Sequence, residues 1–498
     1  MSLRQHLGKT HASDHGIVTP DRMAQIDART IAAGTSGQVL MERAGRAVVR
    51  VVRGKWARRS VAVLTGPGKN GGDGWGIARL LSAAGWPVNV YSDWGVDDLK
   101  GDALEAARLA KIRPRPLTAF AGNEALVVDA LFGAGLTRPL SGAAQAALAE
   151  ARWAQDVLAV DLPSGVEGRS GECLGEPCPA TVTVTFHRPK PGHFLGAGRH
   201  LTGALHVADI GLIVANDDAI ALHNHPDLWR EQLPLPPTAA HKYARGGVMV
   251  VGGPRHQTGA ARLSAEAAAR AGAGAVFVIT QAAAADIYAA HLTSIMTVVE
   301  KDPATIEAFA RAKKVAATVI GPGIGVGDDA EGLLRSVMSA GQPGVYDADA
   351  LTMIGQAGRE MMALLPEEAV LTPHEGEFAT LFPDVSGNAM DRCVAAAAQC
   401  GRTVLLKGAT TIIATPGETP IMNTHASPYL ATAGAGDVLS GLIAGLLAQG
   451  MSAHLAAAAG AWLHGDAAQR LGPGMTADDL PKRLPLALQA LEKESEGN

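Results

Sequence analysis

Short apolar runs that are each followed by a loop rich in glycine, aspartate or asparagine recur along both halves of this chain. In the first half, Val61–Leu64 leads into the segment Gly66–Gly74 and a helical pattern, and Val88–Tyr91 follows. This order of strand, loop, helix and strand is typical of a right-handed βαβ unit of the nucleotide-binding type. The second half repeats the order, for example at Val248–Val251 and Val315–Ile320. The pattern therefore predicts an α/β fold, with a Rossmann-like three-layer domain in the first half.

The length of 498 residues exceeds what one ordinary core can hold, so two domains or more are expected. Regular periodicity is lost between residues 215 and 247, where prolines and short polar segments cluster. We therefore predict an N-terminal domain over residues 1–228 and a C-terminal domain over residues 229–498. The polar segment before Thr19 has no apolar run of signal-peptide length, and we expect a frayed tail there.

Composition excludes several classes of function. The net charge is −5 and no basic block stands out, so the sequence does not favour nucleic acid or a membrane surface as a partner. No apolar stretch has the length of a membrane span. The four cysteines form no CxxC pair and no histidine cluster has zinc spacing, which predicts reduced thiols in a cytoplasmic protein.

Polar side chains follow the strands predicted in the first half. Asp129 and Asp161 each end a strand, Ser164 follows the second, and Asn70 and Asp73 lie in the first glycine-rich loop. The ligand crevice of an open parallel sheet lies at the carboxyl ends of its strands, so these side chains are expected to converge. A buried carboxylate at a strand end suits Asp161 for proton transfer, although simple turn chemistry is the alternative. The oxygens of Asn70, Asp129 and Ser164 could coordinate a hard monovalent or divalent ion.

The loop Gly66–Gly74 meets the G-x-G-x-x-G spacing of the dinucleotide fingerprint of dehydrogenases only loosely. Hydride transfer is therefore not favoured. A carboxamide and a carboxylate beside glycines suit a site that binds a cation, or ribose and phosphate together. An Asx-rich turn is the structural alternative.

The segment Ala431–Gly441 is the most informative of the second half. Gly434, Ala435 and Gly436 lead into Asp437, and an apolar helix follows at once. Bare backbone at a helix N-terminus can receive a phosphate or the charge on a transferring phosphoryl group. An aspartate beside it can take a proton from a hydroxyl nucleophile, whereas the alternative is that Asp437 is simply the helix N-cap.

Two further loops of the second half carry ambiguous residues. Lys407 precedes Gly408, Thr410 and Thr411, which favours phosphate or adenylate binding over a solvated lysine. His374 is followed by two glutamates, but their spacing is not diagnostic of a metal site.

Two sets of motifs resemble two enzyme families. The first set resembles the NAD(P)H-hydrate epimerases and consists of Gly66–Gly74, Val128–Gly135, Asp161–Gly165, Thr183–Phe186 and Pro189–Gly192. The second resembles the ribokinase-like, ADP-dependent NAD(P)H-hydrate dehydratases and consists of Gly259-Ala260, Gly321–Gly325, Asp347–Leu351, Leu371–Phe378, Lys407-Gly408 and Ala431–Gly441. Together they cover the chain from Ile17 to about Leu484 and are similar to bacterial bifunctional nicotinamide-nucleotide repair enzymes.

The resemblance implies that the first domain interconverts the R and S epimers of hydrated NADH and NADPH, with Asp161 as acid and base. It implies that the second domain, a ribokinase-like three-layer domain, dehydrates the S form with ADP and Mg²⁺, releasing NAD(P)H, AMP and phosphate. Asp437 would activate the hydroxyl group of the hydrated ring for phosphorylation. Phosphate is a far better leaving group than hydroxide, so the phosphorylated ring can then be dehydrated. We also expect a homo-oligomer.

The same resemblance assigns binding residues. Those for the epimerase substrate are Lys69, Asn70, Gly71, Gly72, Asp73, Gly133, Ala134, Gly135, Leu136, Thr137, Arg138, Pro139 and Asp161. Those for potassium are Asn70, Asp129 and Ser164. Those for the dehydratase substrate are Ala260, Gly323, His374 and Asp437, and those for the nucleotide are Lys407, Gly408, Ala409, Thr410, Thr411 and Gly436. Lys69 stands where the family has a second asparagine, so its ammonium either holds substrate phosphate or weakens the cation site.

Two alternatives stay open at this point. The second half could be a ribokinase-class kinase for a small alcohol, which would leave a stable phosphate ester instead of inorganic phosphate. The first half could be a non-catalytic, Rossmann-like interaction module, which would have no need of Asp161 or of the glycine-rich loop.

Overall fold

The computed structural model describes residues 15–215, 218–234, 245–299 and 302–496. The predicted tail falls mostly outside these residues, as does most of the proline-rich part of the seam. The chain divides into two compact units, Ser13–Ala221 and Leu222–Asn498. No helix in the described ranges is both long enough and apolar enough to span a membrane.

The N-terminal unit is an α/β structure whose strands alternate with helices. Its strands are β1 (Gly16–Ile17), β2 (Val61–Thr65), β3 (Val88–Tyr91), β4 (Leu126–Ala130), β5 (Asp156–Val160), β6 (Val182–Phe186) and β7 (Ala204–Ala208). Its helices are α1 (Pro20–Ala32), α2 (Gly37–Lys55), α3 (Lys69–Ala83), α4 (Gly101–Ala110), α5 (Gly142–Ala151) and α6 (Gly198–Leu201).

The main sheet of this unit has the order β3-β2-β4-β5-β6-β7, and every neighbouring pair is parallel. Successive residues of β2 face opposite sides. Val61 and Val63 pack with α1 to α4, whereas Ala62 and Leu64 pack with α5. The sheet is therefore covered on both faces, which explains why its strands read as continuous apolar runs.

The predicted glycine-rich loop is shorter than expected, because α3 already begins at Lys69. The glycines of this segment let the first turns of α3 pack closely against neighbouring residues. A Cβ at Gly71 would overlap with the carbonyl oxygen of Gly66, and a Cβ at Gly74 would lie 2.7 Å from Cβ of Ala130. The alternative of an Asx-rich turn is therefore wrong for Asn70 and Asp73, which lie on the first turns of a helix at the sheet edge.

The C-terminal unit contains the remaining elements. Its strands are β8 (Ala221–His223), β9 (Gly247–Val251), β10 (Ala275–Thr280), β11 (Met296–Val299), β12 (Val315–Ile320), β13 (Gly344–Tyr346), β14 (Ala369–Leu371), β15 (Thr403–Leu406), β16 (Thr411–Ala414) and β17 (Ile421–Asn423). Its helices are α7 (Gly259–Arg270), α8 (Ala282–His291), α9 (Pro303–Ala312), α10 (Asp328–Ala340), α11 (Asp349–Ala357), α12 (Arg359–Met362), α13 (Glu375–Leu381), α14 (Ala389–Cys400), α15 (Ala435–Ala448), α16 (Ala453–Leu471) and α17 (Leu480–Glu496).

The sheet of the C-terminal unit runs in the order β8-β17-β16-β15-β14-β13-β12-β9-β10-β11. It is parallel except that β16 pairs antiparallel with both β15 and β17. Val248 and Val250 pack with α7 and with α15 to α17, and their neighbours Met249 and Val251 are buried as well. The sheet is thus covered on both faces, and its polar loops can meet only beyond the ends of its strands.

Helix α15 is more deeply buried than its sequence pattern indicates. Its large apolar residues are buried, but so are the small residues Ser440, Gly441, Ala444 and Gly445. A Cβ at Gly441 would overlap with the carbonyl oxygen of Ser264 on α7. Small residues therefore let α7 and α15 approach closely, which fixes the position of the N-terminus of α15.

Candidate functional site

The N-terminal unit contains a cavity of about 580 Å³ at the carboxyl ends of its strands. It is lined by most of the predicted epimerase residues, namely Lys69, Asn70, Asp73, Gly133, Ala134, Gly135, Leu136, Thr137, Arg138 and Asp161. Of the remaining predictions, Gly71 and Gly72 are buried in α3, and Pro139 does not line the cavity. A cavity of this size is typical of small-molecule sites.

Asp161 lies at the base of this cavity, one residue beyond the end of β5. The sequence places it as the last strand residue, but its φ of 66° puts it in the left-handed region. Such a conformation is uncommon for a residue with a side chain and clusters at functional sites. It turns the carboxylate towards the neighbouring strand end, where Oδ2 accepts a hydrogen bond from the Ala134 N–H at 3.0 Å.

Lys190 is the residue that sequence reasoning missed. Its Nζ lies 2.7 Å from Oδ1 of Asp161 and 2.9 Å from Oγ1 of Thr185, which also donates to Asp161. The Lys190 side chain is 2% exposed and that of Asp161 is 19% exposed, so the ion pair is largely shielded from water. The signal that the sequence offers for Lys190 is the Pro189–Gly192 motif, which resembles the epimerase family but does not by itself indicate a role.

The ion pair sets the charge state of Asp161. Burial by itself raises the pKa of Asp161, but the charge and the hydrogen bond of Lys190 outweigh burial and hold the pKa well below the usual range of aspartate. Asp161 is therefore a carboxylate at neutral pH.

His193 supports this arrangement without a charge of its own. Burial, reinforced by the Lys190 charge, lowers the pKa of His193 to about 4, so the ring is neutral near pH 7. Its Nε2 donates to the carbonyl oxygen of Asp161 at 2.7 Å, and its Nδ1 accepts from the Lys190 N–H at 2.9 Å. The histidine thereby joins the backbones that carry the two charged side chains.

The residues predicted to hold a cation lie beside this cluster. Asp129 is completely buried, and its carboxylate accepts from the Ser164 hydroxyl at 2.6 Å and from the Ser164 N–H at 2.8 Å. Burial raises the pKa of Asp129, and no lysine or arginine within the described ranges forms an ion pair with it. Nδ2 of Asn70 is buried without a hydrogen-bond partner, and a Cβ at Gly133 would lie 3.4 Å from Oδ1 of Asn70. An all-oxygen donor set around an uncompensated carboxylate fits a hard cation.

Lys69 is mostly directed to solvent. Its side chain is 70% exposed, and Nζ lies 3.4 Å from Oδ2 of Asp27, which also lines the cavity. The lysine thus lies at the entrance of the cavity. Asp73 faces the inside, where burial and the charges of Asp161 and Asp27 raise its pKa.

The second candidate site surrounds the N-terminus of α15 in the C-terminal unit. Gly434 is the N-cap residue, with a φ of 88°, and Asp437 is the third residue of the helix. The alternative that Asp437 is the N-cap is therefore wrong. No side chain in the described part of the chain caps this helix. The Ala435 N–H donates to the carbonyl oxygen of Thr432 at 3.3 Å, and the other first-turn N–H groups can receive an anion.

Asp437 has an unusually basic carboxylate. Burial raises its pKa to about 6, with a further contribution from the charge of Asp347, while Lys407 opposes the shift. A carboxylate with a pKa near neutrality is suited to general base catalysis.

Lys407 is held close to this carboxylate by Asp347, another residue to which the sequence assigned no role. Nζ of Lys407 lies 2.8 Å from Oδ1 of Asp347, and the Ser440 hydroxyl donates to Oδ2 of Asp347 at 2.7 Å. A Cβ at Gly436 would lie 3.5 Å from Nζ of Lys407. The ammonium group is thus fixed beside the bare first turn of α15.

Apart from His374, the other predicted residues of the C-terminal unit fall into two groups. Ala260 and Gly323 are adjacent, since a Cβ at Gly323 would lie 3.4 Å from Cβ of Ala260. Residues Gly408, Ala409 and Thr410 connect the antiparallel strands β15 and β16, and Thr411 begins β16.

His374 has a structural partner that the sequence did not indicate. It is the N-cap of α13, where its Nδ1 accepts from the N–H groups of Gly376 and Glu377 at 3.0 and 3.2 Å. Glu377 in turn accepts from the His374 N–H at 2.8 Å, which completes a capping box. Nε2 of His374 lies 3.6 Å from Oε1 of Glu377, and the side chain remains 60% exposed.

Comparisons with known proteins match two family models to separate segments of the chain. A family model described as NAD(P)H-hydrate dehydratase matches residues 248–489, and one described as YjeF-related protein N-terminus matches residues 37–192. The bifunctional NAD(P)H-hydrate repair enzyme of Moorella thermoacetica is 36% identical, over 92% of this chain and 93% of its own length. The enzyme of the same name from Coxiella burnetii is 33% identical, over 92% of this chain and 96% of its own. Among solved structures, a ribokinase-like superfamily protein from Enterococcus faecalis covers 56% of this chain and 98% of its own, with 26% identity and a TM-score of 0.50.

The buried ion pair yields the first prediction. Lys190→Met leaves the Asp161 carboxylate buried and unpaired, so we expect it to lower the free energy of unfolding of the N-terminal unit by about 3–5 kcal/mol at pH 7. The double variant Lys190→Met/Asp161→Asn removes both charges and should recover most of the loss. Chemical denaturation of the full chain measures both.

The control is Lys69→Met, which removes an exposed lysine of the same cavity and should lower the free energy of unfolding by less than about 1 kcal/mol.

The pH dependence of the free energy of unfolding has a defined sign, because the pKa of Asp161 is depressed in the folded state. Its contribution is present above the unfolded pKa of about 3.9 and is lost as the pH falls through the folded value. Strictly additive losses in the double variant would contradict a direct pairing.

Proposed function

Because the chain belongs to the family of bifunctional NAD(P)H-hydrate repair enzymes, we propose that its two units act in succession on hydrated NADH or NADPH. The unit Ser13–Ala221 interconverts the R and S epimers, and the unit Leu222–Asn498 dehydrates the S form with ADP. The observation that carries the proposal is Asp437, a basic carboxylate in the uncapped first turn of α15 beside Lys407. An aspartate with a purely structural role would not require a raised pKa, an uncapped helix N-terminus and a neighbouring lysine together.

The dehydration begins with Asp437 as general base. It takes the proton of the ring hydroxyl, whose oxygen attacks the β-phosphorus of ADP while the bond to AMP breaks. The N–H groups at Gly434–Gly436 stabilise the charge on the phosphoryl group during transfer. The carbon–oxygen bond of the phosphorylated ring then breaks, a proton leaves the neighbouring ring carbon, and NAD(P)H and phosphate are released.

The neighbouring residues orient the nucleotide. Lys407, held by Asp347, directs a positive charge at the phosphates from the side of Gly436. Residues 408–411 form the turn that would contact the adenylate, and Ala260, Gly323 and His374 would contact the hydrated ring. Mg²⁺ bound to ADP would reduce the negative charge of its phosphates.

The epimerisation uses a different charge arrangement. Asp161 enters the reaction as a carboxylate, because Lys190 holds its pKa low. It can accept a proton at Oδ2, the oxygen that contacts only the Ala134 N–H among the described partners, while Lys190 stabilises Oδ1. The cavity residues Asn70, Asp73 and Gly133–Arg138 hold the dinucleotide around this oxygen.

Potassium is the cation we propose for the oxygen cluster. Asn70, Asp129 and Ser164 would hold it, and its charge would compensate the buried Asp129 carboxylate. An ion there would also fix the loop Phe132–Gly133, because the Ser164 hydroxyl is bonded to the backbone of Phe132.

We further propose a cytoplasmic homo-oligomer. The free thiols of Cys173, Cys178, Cys393 and Cys400 are compatible with a reducing compartment. Closed symmetric assemblies are the commonest state of soluble oligomers, which supports a homomeric form. The alternative of a small-molecule kinase joined to a non-catalytic module is not supported, since the relatives that span both units are repair enzymes.

Separate inactivation of the two sites is the main test. Asp437→Asn keeps the shape of the side chain but removes the base, so dehydration should fall by at least about a thousandfold while epimerisation is retained. Asp161→Asn should do the reverse, leaving R-hydrate repair limited by spontaneous epimerisation. Absorbance at the reduced-nicotinamide band follows dehydration, and chromatography of the two epimers follows the other step. Loss of both activities in either folded variant would count against two independent sites.

The raised pKa of Asp437 predicts the pH dependence of dehydration. The base must be ionised, so kcat/KM should fall about tenfold per pH unit below the pKa of about 6. Asp349→Asn removes a negative charge that raises this pKa, so the acidic limb should move to lower pH. Asparagine can still accept the hydrogen bond from the Gly325 N–H, which lies 2.8 Å from Asp349.

Epimerisation serves as the internal control, because the low pKa of Asp161 predicts no acidic limb near pH 6. The assignment of Asp437 as the base would be refuted by a dehydration limb that stays at the same pH in Asp349→Asn.

The cation proposal is tested by stability. KCl should raise the melting temperature of the N-terminal unit above its value in choline chloride of equal ionic strength. At a potassium concentration of one hundred times Kd, the free energy of unfolding should rise by about 2.7 kcal/mol. Asp129→Asn should remove this difference, whereas Asp97→Asn, which changes an exposed aspartate of the same unit, should retain it. An equal response to KCl in Asp129→Asn would place the ion elsewhere.

A further inference from the structure

The C-terminal unit contains a cavity of about 460 Å³ to which none of the predicted site residues belongs. Its floor is formed by the carboxyl ends of β9 and β10, at Val251, Gly252 and Ile279. Its walls are the segment Ile324–Gly327 and the start of α10. We call it the switch-point cavity.

The name refers to the topology of the sheet. From β9 the chain continues outward through β10 and β11 on one side, and it then returns to add β12 on the other side of β9. The winding direction therefore reverses between β9 and β12. In open α/β sheets, a crevice outside the carboxyl ends of the strands at such a reversal is the general place for a ligand.

The loop after β12 connects this cavity to the proposed reaction site. At Gly323 the loop adjoins Ala260, where the hydrated ring is proposed to bind. Two residues later, Gly325 lines the cavity and donates its N–H to Asp349, whose charge raises the pKa of Asp437. A substrate longer than the nicotinamide ring can thus extend along this loop into the cavity.

The lining shows which part of a dinucleotide fits. Val251, Ile279, Ile324, Pro254 and Leu333 supply apolar surface that suits a purine ring. The described residues that line the cavity include no lysine or arginine. The cavity volume exceeds the usual lower limit of about 300 Å³ for small-molecule sites, so a nucleoside can be accommodated.

Two aspartates determine the charge of the cavity. Asp328 and Asp329 line it in the first turn of α10, where they also offset the positive end of the helix dipole. A carboxylate is a good acceptor for the 2′-hydroxyl of an adenosine ribose, whereas it repels a 2′-phosphate at the same position.

We propose that the switch-point cavity binds the adenosine end of hydrated NADH and discriminates against hydrated NADPH at the dehydration step. The inference rests on the proposed function, because it extends the binding site of the same substrate. It assigns a substrate preference to the dehydratase unit alone.

Initial rates of dehydration by the full-length protein, with each hydrate supplied separately and ADP saturating, provide the test. We expect kcat/KM to favour NADH hydrate by about fivefold or more, as repulsion between charges about 4 Å apart in water allows. Asp328→Asn/Asp329→Asn should bring the ratio close to one, and Asp328→Lys/Asp329→Lys should reverse it. Added NaCl should shrink the ratio of the native protein.

The matched control is Glu331→Gln. This glutamate lies in the same helical turn but pairs with Arg335 and does not line the cavity, so its removal should leave the ratio unchanged. Equal kcat/KM for the two hydrates, or a ratio that charge reversal does not move, would overturn the inference while dehydration itself remains. Absence of dehydration with either hydrate would instead refute the proposed function and the inference with it.

Discussion

Compensation of charge at the carboxyl edge of a parallel sheet is the constraint on which both sites depend. In each unit an aspartate follows a central strand, and its carboxylate is held by a lysine that follows another strand of the same sheet. The Asp161–Lys190 and Asp347–Lys407 distances are 2.7 and 2.8 Å. A carboxylate buried without such a partner would carry the full cost of desolvation. In each unit, the lysine therefore allows an aspartate to be buried beside the crevice at the carboxyl ends of the strands.

The same device produces opposite results for the two proposed catalytic carboxylates. Asp161 is itself the partner of the lysine, so its pKa is held low and it reacts as a stable anion. Asp437 is not the partner, because Asp347 binds Lys407 directly, and both burial and the negative charge of Asp347 raise its pKa to about 6. The position of Lys407 relative to Asp347 and Asp437 thus separates an ion-paired anion from a general base.

The sequence predicted the strands that end near Asp129 and Asp161, because parallel strands buried on both faces read as continuous apolar runs followed by glycine and aspartate. It could not predict that α3 begins inside the glycine-rich segment, since glycine is read as a loop signal, whereas here Gly74 packs closely against Ala130 from within the helix. It also missed Lys190, which lies 29 residues beyond Asp161, and the cap formed by His374. Contacts of this kind depend on which strands become neighbours, and no local spacing encodes that order.

The proposed order of the reactions gives the two sites unequal influence on which nucleotide is repaired. Epimerisation is an equilibrium, so a preference of the first site changes only how fast the two epimers interconvert. Dehydration is coupled to the breakdown of ADP and is irreversible in practice, so discrimination between substrates is set by kcat/KM at that step. The cavity of the N-terminal unit accordingly mixes cations such as Lys69 and Arg138 with aspartates, whereas the lining of the switch-point cavity, within the described residues, is acidic and apolar. A permissive first site followed by a selective second one is therefore the arrangement that this distribution of charge favours.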